Sequence, residues 1–226
     1  RPLGFNRDHV INIPLYSDNL NGFFQQADSS FQQRLQTFRD RVETQSGIVH
    51  TTLSQGTLGA GAVYRGTIPE GFNSEENLFV ANISVDYDFI PAFGMEFIAG
   101  RNFSRDYGTD PKEAFVINES AVKQFNWNTP DEALGKTINR EGKIGKVIGV
   151  VKDFNFTALT PPISGLVMSL DPNQFNTLSI KFENANVKNT LTTIEREWLN
   201  LFPEKAFQYS FLTEQLNQQY QNFQNF

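Results

Sequence analysis

The residues of this chain that could do chemistry are few, and their spacing gives none of them a catalytic partner. The apolar run GKVIGVVKDFNFTALTPP, residues 145–162, carries Asp153 at its polar exit. Open α/β sheets place catalytic acids at such strand ends, but only when the sheet is doubly wound and parallel. The hairpin pattern around this run argues against that arrangement. Asp153 is instead expected to turn the chain out of the strand by accepting the backbone N–H of Asn155 or Phe156, or to pair with Lys152 or a distant Arg. Gly56-Thr57-Leu58-Gly59-Ala60-Gly61 is rich enough in glycine for a phosphate loop. Its order is G-x-x-G-x-G rather than G-x-G-x-x-G, and no helical pattern follows to present N–H groups to a phosphate. An exposed loop over residues 56–71 is expected there. Asp106, Asp110 and Glu113 lie close together, but their spacing fails a calcium loop.

The remaining chemistry is excluded by composition. Cysteine is absent and His9 and His50 are the only histidines, which rules out thiolate zinc sites, HExxH metalloenzymes and Cys nucleophiles. G-x-S-x-G is missing, and nothing singles out a pair among the 25 acidic residues for glycoside hydrolysis. No catalytic residue, cofactor or metal is assigned. The net charge is −6 with no basic run, so neither a nucleic-acid surface nor an electrostatic membrane patch is expected. No apolar stretch approaches the ~20 residues that cross a bilayer. With no signal-peptide pattern and Arg1 in place of Met, the chain is expected to be cut from a longer protein.

At 226 residues, 39% hydrophobic, the chain can form one large domain or two modest ones, and 22 Phe against 2 Met point to aromatic cores. Residues 10–15 read as a strand. Phe31, Leu35, Phe38 and Val42 then recur at helical spacing, Gly47 ends that helix, and residues 48–53 read as a second strand. A second β-α-β unit lies far downstream. Leu178, Ile180 and Phe182 alternate, Leu191, Ile194, Trp198 and Leu201 mark a helix face, and Phe207, Tyr209 and Phe211 alternate again. Between the two units lies a stretch with frequent turns. Asp86-Tyr87-Asp88 is placed to cap a short helix, Asn118 another and Thr129 a third, and residues 136–139 and 143–151 form a hairpin around Arg140-Glu141-Gly142. The fold class is α+β: a split β-α-β subdomain with a smaller α+β subdomain inserted. Residues 1–104 and 171–226 are assigned to the first, and residues 105–170 to the second.

Several stretches, in order, resemble a known family. SVDYDFIPAFGMEFIAGRNFS, AFVINESAVKQF, LGKTI and KVIGVVKDFNFTAL are similar to segments of the periplasmic core domain of MacB-like bacterial ABC transporter permeases, which share an architecture with FtsX and lipoprotein-release permeases. LGFNRDHVINIPL resembles the segment after the first transmembrane helix, and FLTEQLNQQYQNFQNF the stalk helix before the second. The resemblance implies a porter-like subdomain built from both chain ends and an inserted Sabre-like subdomain. It further implies a non-catalytic extracytoplasmic domain of an inner-membrane permease, passing ATP-driven transmembrane motion to the periplasm for export, signalling or envelope remodelling. The implied partners are the protein's own transmembrane helices, a cytoplasmic ABC ATPase, a second permease copy and a periplasmic adaptor. Gly4, Phe5, Tyr220 and Phe223 become the membrane-proximal coupling residues, against the plainer expectation of ordinary packing. The alternative is a free periplasmic module that binds a peptide, lipid or glycan.

Overall fold

The computed structural model describes residues 9–15, 29–58, 63–154, 164–183 and 186–224. In chain order its elements are β1 (Val10–Pro14), α1 (Ser29–Glu43), β2 (Ile48–Ser54), β3 (Val63–Pro69), β4 (Leu78–Ser84), α2 (Phe89–Ala92), β5 (Phe97–Gly100) and α3 (Asp110–Glu113). There follow β6 (Ala114–Asn118), α4 (Glu119–Gln124), α5 (Pro130–Ala133), β7 (Thr137–Arg140), β8 (Lys143–Val151) and β9 (Leu166–Ser169). The chain closes with β10 (Thr177–Phe182), α6 (Val187–Leu201), β11 (Ser210–Phe211) and α7 (Leu212–Gln224).

The two chain ends build a four-stranded sheet in the order β11-β1-β10-β2. β10 is antiparallel to both β1 and β2, so those two strands run parallel on either side of it. β11 pairs antiparallel with β1. Two split β-α-β units thus interlock, each lending a strand to the gap in the other. The helical spacing explains the packing. Phe31, Leu35, Phe38 and Val42 of α1 and Ile194 and Trp198 of α6 meet Ile11, Ile13, Leu178, Ile180 and Phe182 in one core. Phe38 and Trp198 touch edge to face at 5.4 Å. Each such buried side chain contributes about 1.5–3 kcal/mol of transfer free energy. Gly47, at φ 88°, supplies the left-handed residue that ends α1.

The second lobe is a sheet of seven strands, β5-β8-β6-β9-β4-β3-β7. β7 also pairs with β8. The pairings β8–β6, β6–β9, β9–β4, β4–β3, β3–β7 and β7–β8 therefore close a six-stranded ring, with β5 added along β8. Val80, Phe115, Ile117, Ile138, Val147 and Val167 fill the interior together with Ala121, Val122, Phe125 and Trp127 from α4 and the turn after it. The opposite face, with Ala81, Ile83, Val116, Leu166 and Met168, packs against Phe89, Ile90 and Phe93 around α2 and against Leu212 and Leu216 of α7.

Two expectations are corrected. Residues 63–69, expected in a loop, form β3 between β4 and β7. The boundary at 104/105 also cuts through a single sheet, because β3, β4 and β5 bond with the strands of 105–170 rather than with the chain ends. Both errors have one cause: β3 has Gly66 at its centre and exposes Val63 and Tyr64, so its apolar alternation is weak. The α+β class and the caps on Asn118 and Thr129 stand as expected, their side chains accepting the N–H of Ala121 and Glu132. The Glu141-Gly142 turn has φ of 48° and 89°, both positive as a two-residue hairpin turn requires.

Candidate functional site at the junction of the lobes

The lobes meet where the ends of β2 and β4 bridge. Ser54 pairs antiparallel with Val85, the Gln55 N–H donates to Ser84 O, and the Asp86 N–H donates to Leu53 O. β4 is thereby brought to the edge of the first lobe, and Asp86 lies just beyond it. Asp86 is 5% exposed and Arg39, one residue past the apolar Phe38 on α1, is 6% exposed. Arg39 Nη2 donates to Asp86 Oδ2 at 3.1 Å. The Leu53 N–H donates to the same oxygen at 2.9 Å, and Oδ1 accepts from the Thr52 hydroxyl and, at 3.1 Å, from the Asp88 N–H. Arg39 also donates through Nε to Thr51 Oγ1 at 2.9 Å and through Nη2 to Thr51 O at 3.1 Å. Asp88, more exposed, lies 3.4 Å from Arg39 and 3.2 Å from Arg105. Burial pushes the Asp86 carboxyl above the ordinary aspartate range, against the pull of the Arg39 charge and of Thr52 and Leu53, with the Asp88 charge adding to the rise. An acid held by four donors, one of them a buried cation, serves as a fastener rather than a proton shuttle.

The expected cap at Asp86-Tyr87-Asp88 is corrected accordingly. Asp88 occupies the N-cap position of α2 but makes no side-chain cap bond there. What could have identified Arg39 is its place beside the apolar stripe of α1. Its partner lies 47 residues away, beyond the reach of spacing.

A second link runs through α7. Asn12 on β1 donates from Nδ2 to Gln215 Oε1 at 2.8 Å and accepts from Ser179 Oγ at 2.6 Å. Leu212 and Leu216 of the same helix share the core formed by Val10 and the outer face of the ring. The last helix is thus bonded to one lobe and packed on the other.

Asp153 has a partner that the sequence did not suggest. β8 runs parallel to β6, so their ends coincide and Asp153 meets the start of α4. Its Oδ1 accepts the Ser120 N–H at 2.8 Å and its Oδ2 the Ser120 hydroxyl at 2.7 Å, while its own N–H donates to Glu119 Oε2 at 3.0 Å. It caps the helix that follows an adjacent strand, while Asn155 and Phe156, the expected partners in its own turn, lie outside the described residues; Lys152 pairs with Glu96. Of the acidic cluster, Asp110 is taken by Arg101 in a two-point fork at 2.7 and 2.9 Å. Among the described residues no group of three potential ligands could hold a metal, and no helix is long and apolar enough to cross a membrane. His9 stacks on Phe182 at 5.4 Å. Gly4 and Phe5 lie outside the described residues. Tyr220 and Phe223 are on α7, but their side chains are not among those described.

An interlocked split β-α-β lobe carrying a closed six-stranded insert, the two fastened by a buried ion pair, defines an α+β domain. The family model for the MacB-like periplasmic core domain matches residues 11–196, and the chain belongs to that family. It is a periplasmic domain of a MacB-like ABC transporter permease. The periplasmic region of MacB from Actinobacillus actinomycetemcomitans superposes with a TM-score of 0.60 at 16% identity, covering 96% of this chain and 94% of that one. The extracellular domain of the noncanonic ABC-type transporter YknZ from Gram-positive bacteria gives 0.57 at 15% identity, covering 89% and 97%. A domain of a permease protein from Porphyromonas gingivalis gives 0.54 at 13% identity, covering 88% and 85%. No curated protein matches by sequence.

Proposed function

We propose that this domain is a non-catalytic transmission element of an inner-membrane permease, passing ATP-driven movement of transmembrane helices into the periplasm. The observation that carries this reading is the double attachment of α7. A displacement of the helix is delivered to the four-stranded lobe through Gln215–Asn12 and to the ring through Leu212 and Leu216. Coupling of this kind needs a rigid element that both sites bias, and the Arg39–Asp86 fastener keeps the lobes from absorbing the motion between them. The partners that follow are the protein's own transmembrane helices, a cytoplasmic ABC ATPase, a second copy of the permease and a periplasmic adaptor. The four-stranded lobe corresponds to the porter-like part and the ring to the Sabre-like insert. The residues closest to the membrane, Gly4, Phe5, Tyr220 and Phe223, remain the proposed entry points of the motion.

The test uses the full-length permease with its ATPase. Two glycines inserted after Phe211 detach α7 from β11. Transport is expected to fall about tenfold or more, with ATP hydrolysis within about twofold of the unmodified protein, the pattern of lost coupling rather than lost catalysis. Undiminished transport in the insertion variant would refute the reading.

A further inference from the structure

The hairpin of β7 and β8 places two cations opposite each other inside the ring. Arg140 pairs with Lys143 across the turn, and the alternation that buries Ile138 and Val147 turns both side chains inward. Like charges directly opposite each other on one sheet face are destabilising. Arg140 is only 8% exposed, so the arrangement is costlier still. Asp171 and Glu141 are near enough to offset it only in part. Among the described residues no carboxylate comes within 4.0 Å of Arg140 or Lys143. Of the five N–H donors on the Arg140 guanidinium, one, on Nη1, makes a hydrogen bond among the described residues, to Ser169 Oγ at 2.8 Å. Lys143 Nζ donates to Pro111 O at 2.8 Å. Both cations lie against the ring of Phe115, at 5.8 and 5.7 Å from its centroid. Arg65 adds a third positive charge but is held by Glu141 at 3.1 Å. Burial, with Arg65 next, holds Arg140 below the usual guanidinium range, and burial, with Arg140 next, lowers Lys143. Asp171 opposes both shifts and Glu141 opposes that of Arg140, and neither acid prevails.

A chain with net charge −6 has carboxylates to spare for neutralising two interior cations, yet none among the described residues pairs with either of them directly. We propose that Arg140 and Lys143, with Ser169 beside them, form a binding site for a small oxyanion, a phosphate or carboxylate group, at the end of the ring where the chain returns to the first lobe. The guanidinium fork matches two oxygens of such a group, the ammonium adds a point charge, and Ser169 contributes a hydroxyl. The location gives the site leverage. Ser169 O accepts the Val85 N–H, one residue before Asp86, and Arg65 reaches Gln174 at 3.5 Å in the segment leading back to β10. An anion bound here sits beside the connections between the lobes. The inference stands apart from the transmission reading, since binding can be measured on the 226-residue chain alone.

The test is thermal unfolding of this chain against inorganic phosphate, and separately acetate, at constant ionic strength held with sodium chloride. A saturable rise of the midpoint with either anion supports the site and says which oxyanion it takes. Arg140→Met is expected to abolish the rise, and Lys143→Met to weaken the apparent affinity about tenfold, the scale of one charge-assisted hydrogen bond. Without anion, Lys143→Met is expected to be at least as stable as the parent chain, because it removes the like-charge pair. A midpoint that responds to neither anion overturns the proposal, as does a full response in Lys143→Met. If Arg140→Met fails to fold, Lys143→Met decides alone.

Discussion

Asp86→Asn is the sharpest probe of the junction. The carboxylate accepts four donors, two at each oxygen: Thr52 Oγ1 and the Asp88 N–H at Oδ1, Arg39 and the Leu53 N–H at Oδ2. Asparagine keeps one acceptor end and turns an NH₂ toward the other pair: at the Oδ2 position Arg39 and the Leu53 N–H both lose their acceptor, whereas at Oδ1 the Thr52 hydroxyl can turn to accept and the Asp88 N–H loses its own. Each buried donor left unsatisfied costs about 1–3 kcal/mol. Among the described residues Arg39, 6% exposed, then retains the more distant Asp88 alone as a counter-charge. The total falls in the range of about 3–5 kcal/mol seen when a buried ion pair loses one partner. Against a stability of about 5–15 kcal/mol for a typical domain, that is a large fraction. Arg39→Met with Asp86→Leu removes both charges together and is expected to recover at least half of the loss. The two tryptophans allow the lobes to be followed separately, Trp198 reporting the four-stranded core and Trp127 the ring interior. Urea unfolding of the two single-tryptophan chains, Trp127→Phe and Trp198→Phe, should give one shared midpoint. In the Asp86→Asn background the two midpoints should part. A loss below about 1 kcal/mol, or midpoints that still coincide, would refute the idea that this ion pair fastens the lobes.

Three further outcomes are expected. Asp153→Ala strips α4 of its cap from the neighbouring strand and should cost about 0.5–2 kcal/mol by urea denaturation; no loss would remove Asp153 from that role. Gly100→Ala combines φ 69° with a Cβ that would overlap Ile148 O, and should cost well beyond Gly56→Ala, where φ is 70° but the space is open and about 1–2 kcal/mol is expected. Equal costs would show that β5 shifts to admit the methyl group. For Asp110, burial raises the carboxyl pKa, but the Arg101 fork and the Ser104 N–H outweigh it and leave the pKa below the ordinary value. Its stabilisation is therefore complete above the unfolded aspartate pKa of about 3.9 and is lost as pH falls through the lower folded value. The urea midpoint of Asp110→Asn should fall less between pH 5 and pH 2 than that of the parent chain, and parallel curves would contradict the assignment.

The helices and the cores they cover were largely legible in the sequence, because a stripe such as Phe31, Leu35, Phe38 and Val42 is a local pattern with one physical solution. So were the caps, which depend on residues three apart. The closure of the ring was not. It rests on pairings such as Pro69 with Ile138, and β3 shows little alternation because one of its ends is exposed. The partner of Asp153 was hidden for a related reason, since a parallel pairing of β6 and β8 brings Ser120 beside it from 33 residues away. Arg39–Asp86 depends on both lobes at once and had no local trace. Arg140 and Lys143 are the instructive case. The hairpin is legible in the sequence, and counting by twos from Ile138 and Val147 turns both cations inward by the strand period alone.

The interlocking of the four-stranded sheet also imposes an order of events on a chain that emerges from its N-terminus. β1 and β2 cannot bond to each other, because the strand between them, β10, begins at Thr177. All strands of the ring lie within residues 63–169, so the insert can assemble completely while its host still lacks a centre. The first lobe must wait with α1 and two unpaired strands, and with Ile11, Ile13, Phe38 and Val42 uncovered, until more than a hundred later residues have been made. Long-range closure of this kind is slow and leaves apolar surface open to aggregation. A ring folded by the time β10 is made would bring the two ends of the host within reach of each other.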